Sequence, residues 1–195
     1  MTQEQALSIF EESGALLTGH FVLTSGRHSD RYFEKFHVLR YPQHVEALCK
    51  DLAEKLAPTK PDVVLGPTTL GILLAYEVAK FLGVPAAYGE KNADGQRFLR
   101  RPEHLPAGAR VAVVDDILTT GGSIRECMDL VNRQEAELVS VGVLVDRSGG
   151  TLDFGAPLEA TLSLTVQSWE EAELPEWLAA VPIPRPSSTG TTSAS

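Results

Sequence analysis

From residue 62 onward the chain repeatedly changes its hydrophobic period, and that alternation restricts the fold more than any other feature. DVVLG (62–66) is a short apolar run ending at Gly-Pro, and LGILLAYEVAKFLG (70–83) has helical spacing and stops at Gly83. VPAAYG (84–89) and RVAVVDD (110–116) are again apolar runs, and helical spacing returns over roughly 122–133. ELVSVGVLVD (137–146) and EATLSLTV (159–166) extend the series. Continuously apolar runs of this length predict strands buried on both faces, and strands alternating with helices predict an α/β fold. The expected architecture is a central, mostly parallel sheet flanked by helices, with its ligand crevice beyond the carboxyl ends of the strands.

The N-terminal part has a different rhythm. TQEQALSIFEESGALL opens with a capping-box pattern, Thr2 with Gln5, and places Ala6, Leu7 and Phe10 on one helical face. GHFVLTSGRHSDRYFEKF alternates around a Ser-Gly turn, which predicts a hairpin or hood. Residues 43–57 carry Val45, Leu48, Cys49, Leu52 and Leu56 at helical spacing. A chain of 195 residues fits one domain. That domain is expected over 1–183, with a small N-terminal hood (about 1–40) completed by C-terminal chain. The stretch PRPSSTGTTSAS (184–195) has the composition of a disordered tail.

Three loops leave strand ends in this scheme: GPTTLG (66–71), DDILTTGGS (115–123) and DRSGG (146–150). In the second, small residues run into a helix, so successive backbone N–H groups and the helix N-terminus face a common point. Thr and Ser hydroxyls add donors, and a phosphate fits that cradle, although TTGGS alone serves equally as a plain strand–helix turn. Asp115 and Asp116 narrow the choice. Two acids at a strand end accept hydrogen bonds from vicinal hydroxyls, orient Mg2+-bound waters or stabilise developing positive charge. A sugar phosphate satisfies both halves: phosphate in the cradle, hydroxyls on the acids. There is no GxxxxGK[ST] loop and no GxGxxG turn after a strand.

A formal net charge of −9 argues against a broad nucleic-acid or anionic-membrane surface, so neither partner is expected. Cys49 and Cys127, without metal-ligand spacing, read as buried small hydrophobes in a reducing compartment. With no leader and no bilayer-length apolar run, the expected location is the cytoplasm.

Residues 111–123 resemble the signature of the type I phosphoribosyltransferases: an apolar strand, two acids, then a small-residue loop. The resemblance implies that fold, with PRPP (5-phosphoribosyl 1-pyrophosphate) bound by Asp115, Asp116, Ile117, Leu118, Thr119, Thr120, Gly121, Gly122 and Ser123. GPTTLG looks like the family's pyrophosphate loop, which brings in Thr68 and Thr69. FVLTSGRHSDRYFEKF, YGEK and LVDRSGG further resemble the short form of the orotate phosphoribosyltransferases, pentosyltransferases that convert orotate and PRPP to orotidine 5'-monophosphate. By that resemblance Thr119, Tyr32, Phe33 and Arg147 meet orotate. A guanidinium fork suits a planar carboxylate on its own account, as it equally suits an ion pair with Asp146.

The basic stretch 89–110 reads as a mobile excursion or hairpin and resembles the loop that closes over the neighbouring subunit's site in a homodimer. Lys91 is then the expected catalytic lysine, with Arg100 and Arg101 as further PRPP contacts. Asp115 and Asp116 are expected to be catalytic too, with Asp116 a candidate proton acceptor. Mg2+ is the expected cofactor, held mainly by the substrate and reached by the two acids through water. The longer orotate enzymes carry lysines where this chain has Thr24 and, at or near, Leu70; neither residue is read as a PRPP ligand. A transferase for a purine or uracil, and a non-catalytic PRPP-sensing regulator, are the alternatives.

Overall fold

The computed structural model describes residues 1–23 and 25–183. Its centre is a six-stranded sheet formed by β3 (Val63–Pro67), β4 (Ala86–Lys91), β5 (Arg97–Phe98), β6 (Arg110–Leu118), β7 (Glu137–Asp146) and β8 (Leu158–Ser163). The strand order is β5-β4-β3-β6-β7-β8. Every pairing is parallel except β4 with β5, so the expected mainly parallel sheet is the one observed.

The pleat divides the interior into two cores. Alternate β6 residues Ala112 and Val114 join the core beneath α1 (Gln3–Glu12), α3 (Pro42–Leu56) and α4 (Leu70–Leu82). Val111 and Val113 join the opposite core beneath α5 (Gly122–Arg133). All four are fully buried, which explains why the sequence run shows no polar alternation. Leu48, Leu52 and Leu56 line the inner face of α3, each contributing about 1.5–3 kcal/mol by its burial. The capping box at α1 is formed: Thr2 Oγ1 accepts the Gln5 N–H at 3.2 Å, and Gln5 Oε1 accepts the Thr2 N–H at 2.9 Å. Both cysteines lie in the cores.

A second, antiparallel sheet joins β1 (Leu16–Val22), β2 (His28–Phe33) and β9 (Ser168–Trp169). It makes the expected hairpin and recruits C-terminal chain to its edge. Arg27 fastens that edge, donating from Nε to Ser168 Oγ at 2.9 Å and pairing with Glu170. Short α2 (Lys35–Leu39) leads from β2 toward α3, and α6 (Glu176–Ala179) follows β9.

Several expected boundaries move. The strand placed at 84–89 begins after Pro85, which has no N–H for the ladder, and runs on to Lys91. The strand placed at 159–166 stops at Ser163, because its partner β7 ends at the facing Asp146. The basic stretch contains a hairpin: β5 pairs with Glu90 and Lys91, across a turn where Asn92 Oδ1 accepts the N–H groups of Asp94 and Gln96. Thr24 and the tail 184–195 lie outside the described residues. Among those described, no helix is long and apolar enough to cross a membrane.

Candidate active site

At the carboxyl ends of β3 and β6 two adjoining cavities open, of about 280 and 420 Å³. The smaller is lined by Thr119–Ser123, with Ile117 and Leu118 at its base. The larger is lined by Lys35 and Phe36 and by Pro67–Gly71. Asp115, Ile117, Thr119 and Ser123 border both, so the cavities form one crevice at the place where the sheet topology predicts it.

Backbone crowding accounts for the two glycines of GPTTLG. A Cβ on Gly66 would stand 2.0 Å from the Gly71 carbonyl oxygen, and one on Gly71 would stand 2.5 Å from Pro67 Cδ. Between them lie Thr68 and Thr69, both lining the larger cavity and joined by a cis peptide bond. The Thr68 N–H donates to the Gly89 carbonyl at 3.1 Å, tying the loop to β4. Leu70, the first residue of α4, is buried.

The 119–123 loop turns at Gly121, whose φ of +79° is a left-handed conformation that favours glycine, and α5 starts at the next residue. Thr119, Thr120, Gly122 and Ser123 are exposed to the crevice, so hydroxyls and helix-terminal N–H groups are presented together. Leu118 differs from its loop neighbours. Its side chain belongs to the α5-side core, while its carbonyl accepts the Arg147 N–H at 2.8 Å.

Asp115 and Asp116 end the continuous buried run of β6, which resumes only at Leu118. Successive strand residues point to opposite faces, so the two carboxylates diverge. Asp115 borders both cavities and Asp116 only the larger. Each turns an oxygen back to the chain: Asp115 Oδ1 accepts the Asp116 N–H at 2.8 Å, and Asp116 Oδ1 accepts the Ile117 N–H at 2.6 Å. Lys35 Nζ lies 2.9 Å from Asp116 Oδ2. Burial, and then repulsion from Asp116, pushes the Asp115 carboxyl up to about 6. Among the described residues no group of three or more His, Cys, Asp or Glu side chains could hold a metal ion, so Asp115 and Asp116 could meet a hydrated Mg2+ only through its waters.

The expected basic ligands are disposed unevenly. Lys91 Nζ rests 2.8 Å from Glu126 Oε1 and does not line either cavity. Arg100 is paired bidentately with Glu90 at 2.8 and 2.7 Å, and Arg101 is exposed outside both cavities. Arg97, a member of the basic stretch to which the sequence assigned no role, is buried. It donates to the Gly89 carbonyl at 3.0 Å and approaches Thr68 Oγ1 at 3.5 Å. Its Nε is also 2.9 Å from Glu126 Oε2, a charge contact without hydrogen-bond alignment.

Tyr32 and Phe33, expected together on the base, occupy opposite faces of β2. Tyr32 is exposed and stacks on Phe21 at 5.5 Å. Phe33 is buried edge-on against Phe10, and the Arg147 guanidinium carbon lies 5.6 Å from its ring centre. Arg147 is half-buried just after β7, and its Nε has no hydrogen-bond partner among the described residues. Asp146 forms no ion pair with it among the described residues, and its Oδ1 accepts the Ser148 N–H at 2.7 Å. Desolvation lowers the Arg147 pKa, and a buried guanidinium N–H without a partner is unusual. Phe33 and Arg147 therefore come together beside the cavities, whereas Tyr32 turns away.

Lys35, Phe36 and Glu126 also went unassigned in the sequence. Glu126 had a usable signal, because it stands four residues after Gly122 and so on the helical face below the loop. Lys35 and Phe36 had none, because α2 is brought over β6 only by the tertiary fold.

Residues 37–175 match the phosphoribosyl transferase domain family. The chain is 43% identical to an orotate phosphoribosyltransferase of Pelotomaculum thermopropionicum, over 96% of this chain and 98% of that one. It is 45% identical to the enzyme of the same name from Heliobacterium modesticaldum, over 96% of this chain and 99% of the relative. Among solved structures it resembles orotate phosphoribosyltransferase from Aeropyrum pernix, with a TM-score of 0.68 and 28% identity, covering 80% of this chain and 92% of that one.

Proposed function

The chain belongs to the phosphoribosyl transferase family, among the orotate phosphoribosyltransferases, and from that membership we propose that it transfers the phosphoribosyl group of PRPP to orotate. The products are orotidine 5'-monophosphate and pyrophosphate, a step of pyrimidine biosynthesis, and the proposed location is the cytoplasm. Residues 1–183 act as one catalytic domain in this reading. The observation that carries it is the paired crevice, a TTGGS cradle and a 67–71 wall sharing Asp115 between them.

In this reading Thr119, Thr120, Gly121, Gly122 and Ser123 hold the 5'-phosphate, with Ile117 and Leu118 forming the floor. Thr68 and Thr69 face the pyrophosphate, and Asp115 and Asp116 accept hydrogen bonds from the ribose hydroxyls. Bond breaking at C1' leaves positive charge on the ribose ring, which the two carboxylates stabilise electrostatically. Mg2+, when bound with the substrate, neutralises charge on the pyrophosphate. Arg147 forks onto the orotate carboxylate, with the base against Phe33 and near Thr119. The exposed Tyr32 serves the base only if the β1–β2 hairpin moves over the crevice.

Lys91, Arg100 and Arg101 lie outside their own subunit's cavities, which supports a homodimer in which the 89–110 hairpin completes the neighbouring site. Leu73 and Tyr76, three residues apart on α4, expose apolar side chains suited to such an interface. Spectrophotometric assay of orotate consumption with PRPP and Mg2+ tests the activity. Brisk turnover of a purine or uracil with no turnover of orotate would overturn the choice of base. PRPP binding without conversion of any base would overturn the enzyme.

A further inference from the structure

Lys35 begins α2 directly after β2, and its ammonium reaches across to Asp116 at 2.9 Å. It lines the larger cavity opposite Thr68 and Thr69. Among the described residues it is the one lysine or arginine that lines either cavity. The neighbouring cations are engaged by acids, Lys91 and Arg97 by Glu126 and Arg100 by Glu90. Glu126 is balanced by Lys91 and Arg97, so within one subunit the crevice sets Asp115 and Asp116 against Lys35 alone among the cations that line it. Thr68, Thr69 and Leu70, the neighbours of any anion on the far wall, carry no charge.

A polyphosphate entering that space meets net repulsion unless a cation stands on its side of the crevice. Lys35 is placed to supply one. An ammonium has three donors, and the approach of Lys35 to Asp116 is a charge contact without hydrogen-bond alignment, so donors are open to a ligand. Its side chain is 44% exposed while that of Asp116 is 9% exposed, so Lys35 offsets a buried carboxylate and still presents its ammonium to the open cavity, where a ligand would meet it.

We propose that Lys35 is a PRPP-binding residue, its ammonium bridging Asp116 and the pyrophosphate group beside the 67–71 loop. The assignment rests on the reading of the chain as a PRPP-using transferase. It gives each site a cation from its own subunit, in addition to any that a neighbouring hairpin contributes.

The test compares Lys35→Ala, Lys35→Gln and Lys35→Arg with the wild-type chain. Calorimetry with PRPP and Mg2+ gives direct binding, and steady-state kinetics give KM for each substrate. Losing one charge-assisted hydrogen bond should weaken PRPP by about 10- to 100-fold in both Lys35→Ala and Lys35→Gln. The KM for orotate should move by less than about threefold, and Lys35→Arg should recover most of the loss. PRPP affinity within about twofold of wild type, equal losses for both substrates, or no recovery in Lys35→Arg would each overturn the assignment. Lys35→Gln keeps most of the stem and serves if the alanine variant does not fold. Wild-type protein that binds PRPP but converts another base removes the orotate reading, and the PRPP titrations then decide Lys35 alone. Wild-type protein that does not bind PRPP overturns both.

Discussion

Replacing Asp115 with Asn should stabilise the empty protein at neutral pH while abolishing transfer. Asp115 is 9% exposed, and burial followed by Asp116 repulsion raises its carboxyl from 3.8 to about 6. The Asp116 N–H, Lys35 and Arg97 act in the opposite direction without cancelling the rise. A carboxyl raised in this way holds its proton more tightly in the folded chain than in the unfolded one. Its contribution to stability is fully present below about pH 4 and is lost as pH climbs through about 6. A rise from 3.8 to about 6 corresponds to about 3 kcal/mol of stability lost by pH 7. Asparagine keeps the shape and an oxygen for the Asp116 N–H, now accepted at 2.8 Å, but has no charge to desolvate.

Urea unfolding in metal-free buffer, followed by circular dichroism from about pH 4 to about pH 8, measures the difference between Asp115→Asn and wild type. The variant's advantage should grow between about pH 4 and about pH 6 and level off near 3 kcal/mol. A difference that stays flat with pH, or a wild-type chain that is the more stable at pH 7, would refute the reasoning. The same substitution should remove most activity, since the site holds an unfavourable charge that the reaction uses.

Three further outcomes follow from geometry. Arg147→Ala should raise the KM for orotate by about 10- to 100-fold and leave PRPP nearly unchanged, and equal losses in steady-state kinetics would undo its role. Gly66→Ala forces a Cβ to within 2.0 Å of the Gly71 carbonyl, so calorimetry should record a Tm lower by roughly 3–10 °C, along with weaker PRPP binding. An unchanged Tm would show that the loop relaxes freely. Burial pushes the Cys49 and Cys127 thiols up to about 12, so neither should react with an aromatic disulfide reagent until denaturant is added. Rapid labelling of the native chain would contradict their packing.

What could be read from the sequence was contiguous in it. The β6 run, the acid pair, the TTGGS loop and α5 occupy consecutive positions, and α5 spans the 122–133 segment expected from its spacing. Local chemistry also settled the Thr2–Gln5 cap and the stop at Gly83, which adopts a φ of +71°. Errors arose where a partner strand determined the outcome. β8 ends where β7 gives out at Asp146, and nothing within EATLSLTV signals it. Tyr32 and Phe33, expected together on the base, stand on opposite faces because strand parity separates adjacent side chains, a consequence that follows from the sequence once β2 is placed. The contacts of Lys35 with Asp116 and of Arg97 with Glu126 join separate elements, and no periodicity encodes them.

Strand parity also explains how two carboxylates can adjoin an anion cradle. Were Asp115 and Asp116 on one face, both would confront the same phosphate. On β6 they diverge, although Asp116 still raises the Asp115 carboxyl and Lys35 acts on both. Asp115 faces the α5 side, where burial holds its carboxyl near 6, so that a proton is available to it just below neutral pH. Asp116 faces the other side, where Lys35 offsets its charge at 2.9 Å. In the proposed complex the 5'-phosphate meets the N-terminus of α5, and the pyrophosphate meets Lys35 before it meets Asp116. The ribose between them is the part of the ligand that both acids can serve. Its hydroxyls need acceptors, and its ring acquires positive charge as the bond to pyrophosphate breaks. Asp115→Asn and Lys35→Ala should therefore differ in kind: the first impairs catalysis in a more stable protein, and the second impairs PRPP binding while leaving the buried Asp116 without its counter-charge.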